Sequence, residues 1–200
     1  MATAKRNLSD YRSAQAVLTN TVADSARRRE AEAFVHDVFA RRYGADVAAF
    51  APNLVLLEQQ GRVVAAAGWR SADSGPLFLE RYLDVPIEDC LARLAGQPPQ
   101  RSRVVEVGNL AADKSGASVQ VILLMAEHLD QLGYEWVVFT ATRELLGIFS
   151  RLGLPLLALA PADPVRLGRE ATAWGRYYDT LPIVVAGRIR MGLERAARRR

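Results

Sequence analysis

Hydrophobic and polar positions in the first part of the chain follow a pattern that predicts one helix and two paired strands. Between Asp24 and Tyr43 the apolar residues recur at helical spacing, and Gly44 stands where that helix would end. The next apolar runs, NLVLLEQ (53–59) and RVVAAAGWRSA (62–72), are rich in β-forming residues. Only Gln60 and Gly61 separate them, which predicts a tight antiparallel turn.

The middle of the chain carries a strand, helix, strand, helix series. RVVEVGNLA (103–111) and YEWVVFTAT (134–142) are predicted strands. The apolar stripe of residues 121–132 between them predicts a helix with Ser118 as its N-cap, and Thr142 is the predicted N-cap of a second helix. Because a crossover helix joins parallel strands, the sheet should contain at least one parallel pair.

The remaining segments complete a mixed α/β domain. LFLERYL (77–83) is extended or ambiguous, and a short helix is predicted over residues 84–96. The last predicted strands are LPLLALA (154–160) and LPIVVAGRI (181–189). A helix is predicted between them, with Asp163 as its cap and Pro164 at its first position.

The composition is that of one soluble globular domain, because 50% of the 200 residues are hydrophobic and 24% are charged. The single Cys90 excludes an intramolecular disulfide. Neither Cys90 nor His36 and His128 has metal-ligand spacing, so no metal site is expected. The N-terminus lacks an apolar signal region, and no apolar run is long enough to span a membrane. We therefore expect a cytoplasmic protein.

The net charge of +4 comes from the C-terminus. Residues 188–200 hold six of the 26 Lys and Arg residues and one of the 22 Asp and Glu residues, a net of +5, which leaves −1 for the rest. A short basic helix or frayed tail of this kind could contact an acidic carrier protein, a membrane surface or nucleic acid, although nucleic acid is not expected here. A merely solubilising end is the open alternative.

The stretch EVGNLAADKSGAS (106–118) carries candidate chemistry. Glu106 alternates with valines, so it lies either on a solvated face or in a cleft, where desolvation would raise its pKa and suit it to accept a proton from an amine. Gly108 interrupts a strand that otherwise packs well, which indicates a bulge or the close approach of a ligand. Backbone N–H groups from Gly108 through Asn109 to Leu110 could stabilise an oxyanion.

The residues after this strand form either an ordinary turn or a phosphate-binding loop. The first N–H groups of a helix lack intrahelical partners and attract anions. Gly116 permits close approach, Ala117 and Ser118 are small, and Lys114 adds positive charge. These four residues are therefore candidate ligands of a cofactor phosphate.

Two further sets of residues have a functional and a structural interpretation. The first set either grips a substrate carboxylate or forms surface ion pairs, and consists of Arg70, Glu80 and Arg81. The second set is aromatic and shares one helical face, and consists of Trp174, Tyr177 and Tyr178. That face is either a core stripe or the wall of a substrate pocket, where a Tyr hydroxyl would serve as the acid.

The order of these elements resembles the core of the GNAT acyltransferase fold. In that fold a loop cradles the pyrophosphate of coenzyme A, and the last helix ends in a turn similar to RLGL (151–154) here. Asp113 and Ser118 occupy the first and last places of the loop pattern, and Phe149 falls where a general-acid Tyr often stands. The resemblance implies a single GNAT-like α/β domain with a central mixed, mostly antiparallel sheet flanked by helices.

Six ordered segments resemble the thermostable hemolysin family. They are LFLERYLDVPIED (77–89), VVEVGNLA (104–111), WVVFTAT (136–142), RLGL (151–154), LAPADP (159–164) and WGRYYDTLPIVVAG (174–187). That family is GNAT-like, and VVEVGNLA looks like the Glu, apolar, Ser, Arg strand of acyl-homoserine-lactone synthases, although Asn109 replaces the Arg. The similarity runs from about Tyr43 to Gly187. We therefore expect a GNAT-like acyltransferase domain (24–187), preceded by an N-terminal arm (1–23) and followed by a basic tail (188–200).

The implied function is N-acyl transfer from acyl-CoA or acyl carrier protein, through its phosphopantetheine thioester, to a small amine such as an amino acid. The implied catalytic residues are Glu106, Asn109, Tyr177 and Tyr178. The implied cofactor-binding residues are Gly108, Leu110, Lys114, Gly116, Ala117 and Ser118, with Arg70, Glu80, Arg81 and Trp174 at the substrate. Two alternatives stay open. The protein is membrane-active, as the family name suggests, or it is a non-catalytic binding domain, which the departures at Asp113 and Phe149 favour.

Overall fold

A seven-stranded sheet forms the centre of the computed structural model, which describes residues 16–198. Its strands are β1 (Ala16–Asn20), β2 (Asn53–Gln59), β3 (Arg62–Ser71), β4 (Val104–Ala112), β5 (Trp136–Ala141), β6 (Leu157–Pro161) and β7 (Ile183–Arg188). They lie in the order β1-β2-β3-β4-β5-β7-β6, and every neighbouring pair is antiparallel except β4 and β5. The predicted mixed, mostly antiparallel sheet is confirmed.

Helices cover both faces of this sheet. They are α1 (Ala26–Tyr43), α2 (Ile87–Ala95), α3 (Ser115–Gln131), α4 (Arg143–Leu152) and α5 (Ile189–Arg198). Short 3₁₀ turns occupy Ala72–Ser74, Phe78–Tyr82, Arg101–Arg103, Pro164–Trp174 and Tyr177–Thr180. Alternate β2 residues divide the core, because Leu54 and Leu56 pack in one buried cluster with α1 and Val55 and Leu57 in another with α3.

Local signals account for several element ends. The hydroxyl of Thr142 accepts the Leu145 N–H at the start of α4, as predicted, and Gly44 ends α1 in the left-handed region with φ 65°. Gln60 and Gly61 both have positive φ, 51° and 73°, which is the backbone of a type I′ hairpin turn and confirms the predicted tight turn.

The start of α3 was predicted at the wrong residue. The helix begins at Ser115 after Lys114, so Ser118 lies inside its first turn and is not the N-cap. The reason is burial: Ala117 continues the stripe of Val121 and Met125 into the same cluster against the sheet. The extra turn places one more apolar residue in the core.

The segment before β7 is not the regular helix that its spacing predicts. Asp163 does cap its first turn, since its carboxylate accepts the Val165 N–H at 2.9 Å. The chain then breaks at Gly168 (φ 58°, ψ −129°) and at Gly175 (φ 52°), so 3₁₀ turns replace the α-helix. Trp174 and the two tyrosines after Gly175 therefore do not share one helical face.

The described chain begins with a strand of the sheet and ends in a helix. β1 pairs with β2, so residues 16–20 of the predicted N-terminal arm form an edge strand, and residues 1–15 lie outside the described residues. In the basic segment, α5 buries Ile189 and Ala196. Within residues 16–198, no helix has the length and apolar character needed to cross a membrane.

Candidate active site

The two parallel strands of the sheet separate soon after they meet. β4 and β5 pair at three positions only, Val104 with Trp136, Val105 with Val137 and Glu106 with Val138. Past Glu106, β4 continues to Ala112 against β3, and β5 continues against β7. A cleft therefore opens between the carboxyl ends of β4 and β5, which is where open α/β sheets bind ligands.

A cavity of about 280 Å³ occupies this cleft, and its walls come from both faces of the sheet. On the α1 face the walls are aromatic, with Phe39, Tyr43, Phe50, Phe78, Trp174 and Tyr177. On the α3 face they are mostly aliphatic, with Met125, Leu129, Ile148, Leu154, Leu156 and Leu193. The cavity thus joins two compartments of different chemistry through the gap in the sheet.

Glu106 stands where the two strands part, and its carboxylate is largely buried on the α1 side. Its two oxygens accept the main-chain N–H groups of Phe78 (2.8 Å) and Leu79 (2.9 Å). Burial raises the pKa of Glu106, an effect that these hydrogen bonds and the nearby charge of Arg70 partly offset. Since each oxygen retains an unused lone pair and the residue lines the cavity, Glu106 can accept a proton there.

A β-bulge interrupts β4 three residues further on. Gly108 lies opposite Gly68 and Ala111 opposite Ala66, so two β4 residues, Asn109 and Leu110, face one residue of β3. Asn109 has φ 50°, a left-handed conformation that an ordinary side chain adopts only when its surroundings hold it. A bulge leaves a residue out of the ladder, so main-chain amide groups at this point of the cavity wall are free of regular pairing.

The side chain of Asn109 anchors the loop that follows α1. Its Oδ1 accepts the Ala51 N–H at 2.8 Å, and its Nδ2 donates to the Ala49 carbonyl at 3.4 Å. Gly68 makes room for this contact, because a Cβ there would lie 2.7 Å from the Ala51 Cβ and 3.0 Å from Asn109 Oδ1. Residues 49–51 all line the cavity, so Asn109 shapes the α1 side of the site.

The aromatic wall is assembled from distant parts of the chain. Tyr177 lies 5.3 Å from the Tyr43 ring and 5.3 Å from Trp174, and Phe78 lies 5.7 Å from Trp174. Main-chain hydrogen bonds hold the pieces together, with Arg176 N–H donating to the Tyr43 carbonyl at 2.8 Å. Burial raises the pKa of Tyr177 and of Tyr43, so both hydroxyls stay protonated.

Comparison with known proteins assigns the chain to a family. The sequence profile described as "Thermostable hemolysin" matches residues 21–193. The chain belongs to the thermostable hemolysin family. A comparison with curated proteins finds no significant sequence match for this family member.

Solved structures resemble this thermostable hemolysin family member over nearly its whole length. LasI, an AHL synthase, has TM-score 0.61 and 14% identity over 90% of this chain and 95% of its own. FeeM, an N-acyl amino acid synthase from uncultured soil microbes, has TM-score 0.61 and 13% identity over 90% and 94%. BjaI, a CoA-dependent acyl-homoserine lactone synthase, has TM-score 0.62 and 15% identity over 92% and 89%. The structural overlap, with TM-scores of 0.61 and 0.62, shows that the chain shares the GNAT-like fold of these proteins.

In this thermostable hemolysin family member the cavity gathers eight of the residues that the sequence singled out. They are Arg70, Glu106, Gly108, Asn109, Leu110, Ser118, Trp174 and Tyr177. Six others lie outside the cavity wall, namely Glu80, Arg81, Lys114, Gly116, Ala117 and Tyr178. The hydroxyl of Tyr178 is hydrogen-bonded to that of Tyr82 at 2.6 Å. The predicted acid pair is therefore divided, with Tyr177 in the wall and Tyr178 behind it.

The two outlying substrate-site candidates have ion-pair partners elsewhere. Arg81 makes a two-pronged contact with Glu170 at 2.6 and 3.1 Å. Glu80 accepts from both terminal nitrogens of Arg101 at 2.8 and 3.2 Å, and Arg101 also contacts Glu88 and the Ala72 and Gly75 carbonyls. Arg101 thereby holds the turn whose N–H groups bind Glu106. No sequence motif around Arg101 predicts this role.

The cavity also includes residues that the sequence analysis did not select. Arg42 and Tyr43 come from the last turn of α1, and Phe50 from the loop after it. The periodicity of α1 places its arginines on the solvent side, and only the tertiary packing brings them to the cleft. Among residues 16–198, no group of three or more His, Cys, Asp or Glu side chains is placed to hold a metal ion.

Proposed function

We propose that this protein is an N-acyltransferase that moves an acyl group from a phosphopantetheine thioester to the amine of a small molecule such as an amino acid. The observation that carries the proposal is the separation of β4 and β5 directly after Glu106, which places a buried carboxylate beside a cavity open to both faces of the sheet. The AHL synthase and N-acyl amino acid synthase that share the fold support the reaction class.

The donor occupies the gap between the strands. Its thioester lies beside the bulge at Asn109, where main-chain N–H groups would stabilise the oxyanion of the tetrahedral intermediate. Its acyl chain extends into the aliphatic compartment on the α3 face. The aliphatic wall of that compartment runs from Met125 and Leu129 to Leu193, beside Gly187 and Gly192. We therefore expect a hydrophobic acyl group longer than acetyl.

The acceptor occupies the aromatic compartment on the α1 face. Arg70 lines this compartment close to Glu106, and its guanidinium suits a carboxylate. Glu106 accepts the proton of the ammonium group, directly or through a water molecule. An α-amino acid with an aromatic or large apolar side chain matches this combination of a cation, a base and aromatic walls.

The chemical step follows from these positions. The amine nitrogen attacks the thioester carbonyl carbon and the C–N bond forms. The nitrogen then loses its second proton to solvent, and the C–S bond breaks when the tetrahedral intermediate collapses to the amide and a thiolate. A thiol has a pKa of about 8.5, well below that of a buried tyrosine, so Tyr177 is a poor proton donor to the departing thiolate. Its role is to donate a hydrogen bond to the sulfur, while the proton reaches the thiolate from solvent. Phe149, which packs 5.1 Å from Phe139, contributes only apolar surface.

The donor is either coenzyme A or an acyl carrier protein. The basic helix α5 presents Arg190, Arg195 and Arg198 next to the aliphatic compartment that Leu193 lines. A carrier protein is joined to the donor through its phosphate, so it would dock at the phosphate end of the cleft and not at α5, which lies at the amino end of β5. The assignment of residues 24–187 as the acyltransferase domain is part of the same proposal.

Mass spectrometry after incubation with acyl-CoA or acyl carrier protein and a panel of amines tests the function. We expect an N-acylated product that Glu106→Gln reduces at least about a hundred-fold, the usual contribution of a general base. The control Glu30→Gln, on the exposed side of α1, should leave the rate unchanged. Absence of product with every donor and amine would overturn the proposal. Vesicle lysis without donor, unaffected by Glu106→Gln, would instead favour a membrane-active protein.

A further inference from the structure

Two adjacent arginines at the end of α1 each pair with a carboxylate on a different side of the cleft. Arg41 Nη2 lies 3.3 Å from an Asp113 oxygen, and Asp113 directly follows β4. Arg42 pairs with Glu144, the second residue of α4, which follows β5. The end of α1 therefore spans the open end of the gap through these two ion pairs, which we call the arginine clasp.

The ion pairs of the clasp are weak, and both arginines have unused N–H donors. The Arg41 and Arg42 side chains are 69% and 43% exposed, and their carboxylate partners are 40% and 55% exposed. Ion pairs with this exposure contribute about 0–1 kcal/mol each. Each arginine uses a single terminal nitrogen in its ion pair, so the remaining N–H groups can bind another anion.

The position of the clasp fits the phosphate of the donor. Three arginines line the cavity: Arg70 stands near Glu106, Arg188 covers the Trp136 ring at 4.2 Å, and Arg42 stands beside Thr142 and Glu144. A phosphopantetheine donor has a thioester at one end of its arm and a phosphate at the other. With the thioester at the bulge, the phosphate reaches the end of the cleft. There the planar guanidinium of Arg42 presents parallel N–H donors that suit a phosphate.

We infer that Arg41 and Arg42 bind the donor phosphate, and that this phosphate displaces Asp113 and Glu144 from them. This inference rests on the proposed function, because it takes the donor to be a phosphopantetheine thioester. The main phosphate contact is then made by α1 and not by the loop before α3, where the sequence analysis predicted it. That loop begins with acidic Asp113, and its Lys114 does not line the cavity.

Substitutions on the two sides of one ion pair give opposite results if this inference is right. Arg42→Ala should weaken the binding of coenzyme A about ten- to a hundred-fold, the usual effect of losing a hydrogen bond to a charged group. Glu144→Gln should strengthen it about two- to five-fold, because Arg42 no longer needs to leave a carboxylate. An ion pair with only a structural role would make both variants equal or worse than the wild type. Arg103→Ala, which breaks an exposed ion pair with Glu135, is the matched control.

Calorimetry with four probes tests the inference without any turnover. The probes are coenzyme A, 4′-phosphopantetheine, pantetheine without phosphate, and a holo acyl carrier protein. Arg42→Ala should weaken the phosphate-bearing probes and leave pantetheine unchanged. Equal affinities of wild type and Arg42→Ala for every phosphate-bearing probe, or no binding of any of them, would overturn the inference. Arg42-dependent binding without any acylated amine would overturn the proposed reaction and leave the phosphate site standing.

Discussion

Asn109 offers a sharp test, because one residue combines a left-handed backbone with a half-buried side-chain hydrogen bond. In Asn109→Gly the left-handed conformation becomes easier and the hydrogen bond from the Ala51 N–H is lost. In Asn109→Ala the hydrogen bond is lost and the backbone strain remains or grows. The lost hydrogen bond should cost about 1–2 kcal/mol, and an alanine at positive φ about 1 kcal/mol more than glycine. We therefore expect unfolding free energies lowered by about 1–2 kcal/mol for the glycine variant and about 2–3 kcal/mol for the alanine variant.

Urea unfolding of both variants measures this difference, and acceptor kinetics show its functional consequence. Because Asn109 positions the 49–51 loop in the acceptor compartment, both variants should raise KM for the amine more than they lower kcat. Equal destabilisation by glycine and alanine would contradict the backbone assignment. A fall in kcat with unchanged KM would show instead that the Asn109 amide acts on the reacting atoms.

Three further predictions concern the base, the anchor of its turn and the acyl compartment. Burial raises the pKa of Glu106 above its ordinary value of 4.5, so the reaction rate should rise with pH through that elevated pKa. A group whose pKa is raised in the folded state stabilises the protein below its unfolded pKa, and this contribution is lost as pH rises through the folded pKa. Glu106→Gln should therefore flatten the pH dependence of the unfolding free energy above about pH 4.5. Arg101→Ala removes the ion pairs with Glu80 and Glu88 and the hydrogen bonds to two carbonyls, and it should lower the unfolding free energy in urea by about 3 kcal/mol, whereas the exposed Arg103→Ala should change it by less than about 1 kcal/mol. Gly192→Leu, which adds a side chain at the far wall of the aliphatic compartment, should shift the preferred acyl chain to shorter lengths in a donor competition assay, and an unchanged length profile would place the acyl chain elsewhere.

Elements controlled by local chemistry were predictable from the sequence. The hairpin turn at 60–61, the end of α1 at Gly44 and the cap of α4 at Thr142 all depend on residues within one turn of each other. The alternation around Glu106 also correctly separated its face from that of Val105, because side chains alternate across any strand.

Features that depend on tertiary contacts were not predictable in the same way. The spacing of residues 164–178 suits an α-helix, but the chain turns back at Gly168 and Gly175 to pack against the end of α1, where Asp46 N–H donates to the Ala173 carbonyl at 2.7 Å. The ion pair of Glu80 with Arg101 joins residues 21 positions apart with no periodic relation. Tyr43 reaches the cavity for the same reason, since nothing local marks the last turn of α1 as part of a site.

The most direct test is the structure of the protein bound to a thioether analogue of an acyl-CoA or of an acyl-phosphopantetheine arm, which cannot transfer its acyl group. The analogue should lie between β4 and β5, with its carbonyl carbon beside the bulge at Asn109 and within reach of Glu106 directly or through one water molecule. Its acyl chain should fill the aliphatic compartment on the α3 face. An analogue bound outside the gap, or a gap closed by continued pairing of β4 and β5 beyond Glu106, would contradict acyl transfer at this site.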